Sequence, residues 1–148
     1  MQTSAVAPTE PKQRRRSYLL GVLGGIVAKL GVSTALVAVL IFADQFQAAR
    51  FDRPILIDRM DDPRTTGWYL LQGVNFVSAG LAGFVAAWLS PKHSRGAAAT
   101  LVALAVLAIV FAQLPRPAST AMLVLWAAGA PVGIVIGSYL FRRRERAA

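Results

Sequence analysis

The chain has 148 residues, of which 55% are hydrophobic, and it carries a formal net charge of +9 at pH 7. It has no cysteine, which excludes disulfide bonds, thiol catalysis and cysteine-based metal sites. The positive charge does not favour nucleic-acid binding, because the sequence offers no folded basic domain that could carry such a surface. Basic residues instead flank long apolar segments, a pattern that orients membrane proteins and attracts anionic lipid headgroups.

The chain begins with a polar segment, residues 1–16, that contains Pro8, Pro11 and a run of three arginines. This composition predicts a disordered, basic cytoplasmic tail. A run of arginines before an apolar segment also occurs in cleaved secretory signals. The apolar run that follows here exceeds the roughly 7–15 residues of a signal-peptide core. We therefore expect an uncleaved first span, with a cleaved signal as the alternative.

Four apolar stretches are each about as long as the twenty residues that a helix needs to cross a bilayer. They cover approximately residues 18–42, 68–89, 96–114 and 121–141. In lipid, backbone polar groups must be satisfied within the protein, so each stretch is predicted to be a helix. The predicted fold class is an all-α integral membrane protein, with one domain that is an antiparallel bundle of four transmembrane helices.

The first span combines small residues with one intramembrane charge. Gly21 and Gly25 lie one helical turn apart, and further small residues continue a stripe that favours close helix packing in lipid. Lys29 is the only ionisable residue in the four spans and lies near mid-membrane, so it is a candidate functional residue. In the alternative interpretation, the Lys29 amine extends toward the helix N-terminus and reaches the interface.

The only sizeable loop covers residues 44–67, on the side opposite to the termini. Its first part, residues 44–51, is predicted to extend the first helix until Pro54 ends the run. Three aspartates farther along the loop, Asp58, Asp61 and Asp62, lie among arginines. They are interpreted as part of a solvated loop rather than as a cation site.

The second span carries three polar candidates, Gln72, Asn75 and Ser78. Gln72 and Asn75 share a helix face with several alanines, which predicts that this face turns inward. Counting from the span centres places Asn75 level with Ser33 and Thr34 of the first span. We expect the Asn75 amide to bond to one of these two, or to the carbonyl group of Ala127 in the fourth span.

The fourth span contains Gly129, Gly133 and Gly137, which form two overlapping G-x-x-x-G patterns of the glycine-zipper kind. They predict a flat face that another helix backbone can approach closely. The second helix can belong to the same bundle, to a second copy of the chain or to a larger membrane protein. Pro131 removes one backbone donor and crowds the Ala127 carbonyl, so a kink is predicted there.

Lysine and arginine concentrate in both terminal segments, including residues 142–148, and in the loop at residues 90–95. Arginines in the loop at residues 44–67 are offset by aspartates. This bias predicts that both termini face the cytoplasm. The expected location is a bacterial-type inner membrane.

The sequence has no carboxylate in any span, one histidine outside the spans, and no nucleophile elbow, phosphate loop or zinc motif. We therefore predict no enzyme, no cofactor and no metal site. The expected function is an accessory, assembly or scaffold component that acts through helix–helix contacts. One alternative is a minimal transporter or channel for an anionic or polar solute that uses Lys29 and Asn75. Another is a lipid sensor that uses the basic tails.

Overall fold

The computed structural model describes residues 11–51, 65–113 and 120–147, and the side chains of residues 17–50, 65–111 and 127–147. The elements are α1 (Pro11–Phe51), α2 (Thr66–Leu89), a 3₁₀ turn (Pro91–His93), α3 (Ser94–Gln113) and α4 (Thr120–Ala147). No strand occurs in these ranges. The predicted all-helical class is confirmed.

Three helical segments are long and apolar enough to cross a membrane: Ser17–Arg50, Thr66–Leu89 and Pro91–Phe111. They contain or overlap the first three predicted spans. The fourth predicted span, residues 121–141, is helical within α4, and its side chains are described from Ala127 onward. Residues 52–64, which form the middle part of the predicted loop at residues 44–67, lie outside the described residues.

α1 is longer than its predicted span at both ends. The extension through residues 44–51 is confirmed, and the Arg50 guanidinium lies 5.6 Å from the ring centre of Phe46, one turn earlier. At the other end, α1 begins at Pro11 and so includes residues 11–16, which the sequence placed in the basic tail. Proline suits the first helical position, and the lysine, glutamine and arginines that follow are good helix formers. An apolar helix that is already nucleated therefore extends into them.

α2 is the central helix, since its contacts with α4 and with α1 are the two most extensive between the described helices. Glycines make the contact with α4 close: a Cβ atom on Gly133 would lie 2.6 Å from the Phe76 carbonyl oxygen. A Cβ atom on Gly137 would overlap the carbonyl group of Gly80. We call this contact the α2–α4 glycine seam.

α1 packs on α2 and α3 through its predicted small residues. A Cβ atom on Gly21 would lie 2.9 Å from the Ala86 carbonyl oxygen, and one on Gly25 would lie 3.1 Å from that of Ala82. The Tyr18 hydroxyl group hydrogen bonds to that of Thr100 on α3. Thr100 lies in a largely aliphatic helix, and no sequence pattern predicted this polar link.

Burial is uneven along the bundle. The buried residues that form the core are mostly alanines, and they lie toward the end that holds Tyr18, Ser90 and Phe141. By contrast, residues 27–43, 69–77 and 106–111 contain no buried residue. We call these three segments the loosely packed zone. Beyond it, burial returns at Asp44, which is 1% exposed, and at Trp68.

Candidate functional site

Two of the four predicted intramembrane polar residues, Lys29 and Asn75, lie in the loosely packed zone and line a cavity of about 330 Å³. Its polar lining residues are Lys29 and Ser33 from α1 and Asn75 from α2. The rest of the lining is apolar and comes from α2, α3 and α4, at Leu71, Val74, Ala105, Ala108, Ile109 and Ala130. All four helices therefore contribute to one site, which we call the Lys29 cavity.

Helical periodicity explains why these residues meet. Lys29 and Ser33 lie one turn apart on α1, so their side chains point from the same face. The contributions of α2 and α3 follow spacings of three and four, which also mark single faces. The small side chains of Ala105, Ala108 and Ala130 leave the space that larger residues would fill.

The polar groups of this cavity are available to a ligand. Neither the Lys29 amine, the Ser33 hydroxyl nor the Asn75 amide makes a hydrogen bond with any residue that the structure describes. No acidic residue lines the cavity, so the Lys29 charge has no counter-charge there. A charged or polar group without a partner in an apolar medium is costly, which favours a polar or anionic occupant.

The expected hydrogen bond of the Asn75 amide is not present in the described part of the chain. The amide bonds to neither Ser33, Thr34 nor the Ala127 carbonyl. Asn75 and Ser33 line the same cavity, as the depth argument indicated, but the cavity lies between them. Thr34 is exposed on another face of α1.

The other two polar candidates of α2 differ from Asn75. Ser78 is completely buried, and its hydroxyl donates to the Asn75 carbonyl oxygen at 3.1 Å, so its own helix satisfies it. The Gln72 amide nitrogen is buried without a hydrogen-bond partner. Gln72 does not line the cavity. Of the three residues, only Asn75 is placed to meet a ligand there.

Pro131 follows the cavity residue Ala130, and α4 continues as a helix through it. Because proline has no N–H group, the carbonyl group of Ala127 has no partner within the helix. That carbonyl points along α4 toward Pro131, which adds an acceptor near the level of the cavity. The predicted kink itself stays a prediction. A Cβ atom on Gly129 would meet nothing within 4 Å, so this glycine lies outside the α2–α4 glycine seam.

The described residues contain no group of three or more histidine, aspartate or glutamate side chains that could hold a metal ion. Comparison with protein-family models, with curated proteins and with solved structures found no match to this chain. A function must therefore be argued from the geometry of the bundle and its cavity.

Proposed function

We propose that the protein is a multi-pass membrane component that binds a larger membrane protein through α1, as an accessory or assembly subunit. In this proposal, four antiparallel helices cross a bacterial-type inner membrane with both termini in the cytoplasm. The distribution of lysine and arginine in the sequence supports this orientation.

Residue pairing between the helices supports the alternating topology. Gly21 approaches Ala86, whereas Gly25 approaches Ala82, so the residue numbers run in opposite directions along α1 and α2. Gly133 approaches Phe76 and Gly137 approaches Gly80, so the numbers rise together along α2 and α4. A chain that crosses a membrane four times in succession requires α1 and α2 to be antiparallel and α2 and α4 to be parallel.

The observation that carries the proposal is the distribution of the small residues. In the α2–α4 glycine seam, Gly133 and Gly137 already contact the backbone of α2 in the same chain. This favours the interpretation that these two glycines serve packing within the bundle. On α1, however, a run of small residues is exposed: Gly31, Thr34, Ala35 and Ala38. We call this run the free face of α1, and a Cβ atom on Gly31 would meet nothing within 4 Å.

A second transmembrane helix fits this face. Apolar area alone does not drive helices together in lipid, whereas small residues at spacings of three and four allow the backbones to approach closely. Ser33 and Lys29 line the cavity on the opposite side of α1, so Thr34 is the hydrogen-bonding side chain that the free face itself offers to a second helix. The partner in this proposal is a helix of another membrane protein, with a second copy of the chain as the competing occupant.

Affinity purification in a mild detergent tests the proposal, with Gly31→Leu as the variant. A Cβ atom on Gly31 or on Gly73 would meet nothing within 4 Å, so we expect both positions to accept leucine without disturbing the bundle. Gly73→Leu on α2 is therefore the matched control. We expect a stoichiometric partner with the natural chain and with Gly73→Leu, and its loss with Gly31→Leu. Self-association alone, or equal recovery with both variants, contradicts the proposal.

The cavity favours a second candidate function, the passage of an anionic or polar solute. Lys29, Ser33 and Asn75 offer a cation, a hydroxyl and an amide to one occupant. Anion flux into proteoliposomes tests this function with Lys29→Met, which keeps the stem length and removes the charge. Lys92→Met is the control, since Lys92 is exposed in the 3₁₀ turn. Anion flux that occurs with the natural chain and with Lys92→Met, but not with Lys29→Met, supports transport through this cavity. Flux that survives Lys29→Met contradicts this function.

A further inference from the structure

A second cavity, of about 440 Å³, lies where α3 begins and α4 ends. It is lined by Pro91, Ser94, Arg142, Glu145 and Arg146, and we call it the arginine cavity. It is separate from the Lys29 cavity and from the free face of α1, and neither function proposed above uses it.

The two arginines are arranged to bind an anion. They lie one turn apart on α4, so both side chains can reach the same side. The Arg142 Nε atom donates to the Ser138 carbonyl oxygen at 3.2 Å, which orients the guanidinium and leaves its terminal N–H groups for other acceptors. Glu145 lines the same cavity, but it forms no ion pair with either arginine among the described residues. The lining keeps an excess of positive charge.

Ser94 adds a neutral donor on the opposite wall. This residue is only 5% exposed, and its hydroxyl group makes no hydrogen bond with any part of the chain that the structure describes.

We propose that the arginine cavity binds a phosphate group, with Arg142, Arg146 and Ser94 as its donors. The planar guanidinium fork matches pairs of phosphate oxygens, and the hydroxyl can donate to a further oxygen. The site lies where α4 changes from the apolar Leu140 and Phe141 to arginines, which is the level of lipid headgroups in a membrane. The phosphate can therefore belong to an anionic phospholipid or be free in solution.

Binding to the purified full-length chain in detergent tests this site. Native mass spectrometry measures retention of phosphatidylglycerol, with diacylglycerol of the same acyl chains as the phosphate-free control. We expect the double variant Arg142→Gln/Arg146→Gln to weaken phosphatidylglycerol binding about tenfold, since it removes two charge-assisted donors. The matched control is Arg143→Gln/Arg144→Gln, which removes the same charge from the same helix outside the cavity lining and should weaken binding less than about threefold. Glu145→Gln should tighten binding, because it removes the only negative charge of the lining.

Competition with millimolar inorganic phosphate identifies the source of the phosphate group. Displacement of the lipid assigns the site to free phosphate, and retention assigns it to the headgroup; either result supports the proposal. Equal weakening by the two arginine pairs would show that only the total charge of the helix end matters, and it would overturn the proposal. Binding of diacylglycerol as tight as that of phosphatidylglycerol would overturn it as well. Circular dichroism of each variant checks that the helices are intact.

Discussion

The glycines of the G-x-x-x-G patterns in α4 differ in whether they contact another helix. At Gly137 a methyl group would overlap the Gly80 carbonyl, whereas at Gly129 it would meet open space. Gly137→Ala should therefore lower the free energy of unfolding by about 2 kcal/mol or more, because backbone cannot move aside as a flexible side chain can. Gly129→Ala should leave it unchanged or raise it by up to about 1 kcal/mol, since alanine favours helix. Thermal unfolding in detergent measures both, and equal losses would contradict the α2–α4 glycine seam.

The side chain of Asn75 contributes little to stability in this account, since its amide bonds to no described residue. Asn75→Ala should change the free energy of unfolding by less than about 0.5 kcal/mol, because it breaks no protein hydrogen bond. Its effect should instead be seen in occupancy of the Lys29 cavity, as a change in anion flux or partner recovery. A large loss of stability in detergent would show that the amide does bond within the bundle.

The hydroxyl groups of Tyr18 on α1 and Thr100 on α3 form a side-chain hydrogen bond between two helices. The single variants Tyr18→Phe and Thr100→Val each remove it, so their effects should not add. A double-mutant cycle should give a coupling energy of about 0.6 kcal/mol, within the range found for helix–helix bonds in membranes. Additive losses would indicate that the two hydroxyl groups do not interact in the membrane.

At the scale of the elements, the four helices follow from composition and from the positions of helix breakers. Apolar runs predicted the positions of α1, α2 and α3 along the chain, and the absence of a breaker before Pro54 predicted the extension of α1. Part of the polar lining of the Lys29 cavity was also predictable from the sequence, because counting residues by depth placed Asn75 level with Ser33.

The pairing of the helices was not predictable in the same way. In a soluble protein the packed face is apolar and the exposed face is polar, so the pattern identifies the interface. In lipid both faces are apolar, and small residues occur on packed and on free faces alike. Gly133 and Gly31 each belong to a series of small residues at helical spacing, yet one lies in the α2–α4 glycine seam and the other is open. Only the arrangement of the backbones separates them.

At the scale of the whole molecule, the tightness of packing changes along the bundle. Alanines and glycines hold the helices together at one end, whereas Lys29, Ser33 and Asn75 lie in the loosely packed zone. This division gives α1 two roles: its first half is fixed against α2 and α3, and its later half carries the free face. A partner helix on the free face, or a polar solute in the cavity beside Lys29, can therefore bind without competing with the contacts that hold the bundle together.

Both proposed functions depend on a chain that crosses the membrane four times with its ends inside the cell. The lack of native cysteine makes single-cysteine labelling suitable for testing this topology. Labelling by a membrane-impermeant maleimide in intact bacterial cells should reach Asp58→Cys, while Thr3→Cys and Ala147→Cys should react only after the membrane is permeabilised. Reaction of either terminal cysteine in intact cells would contradict the account.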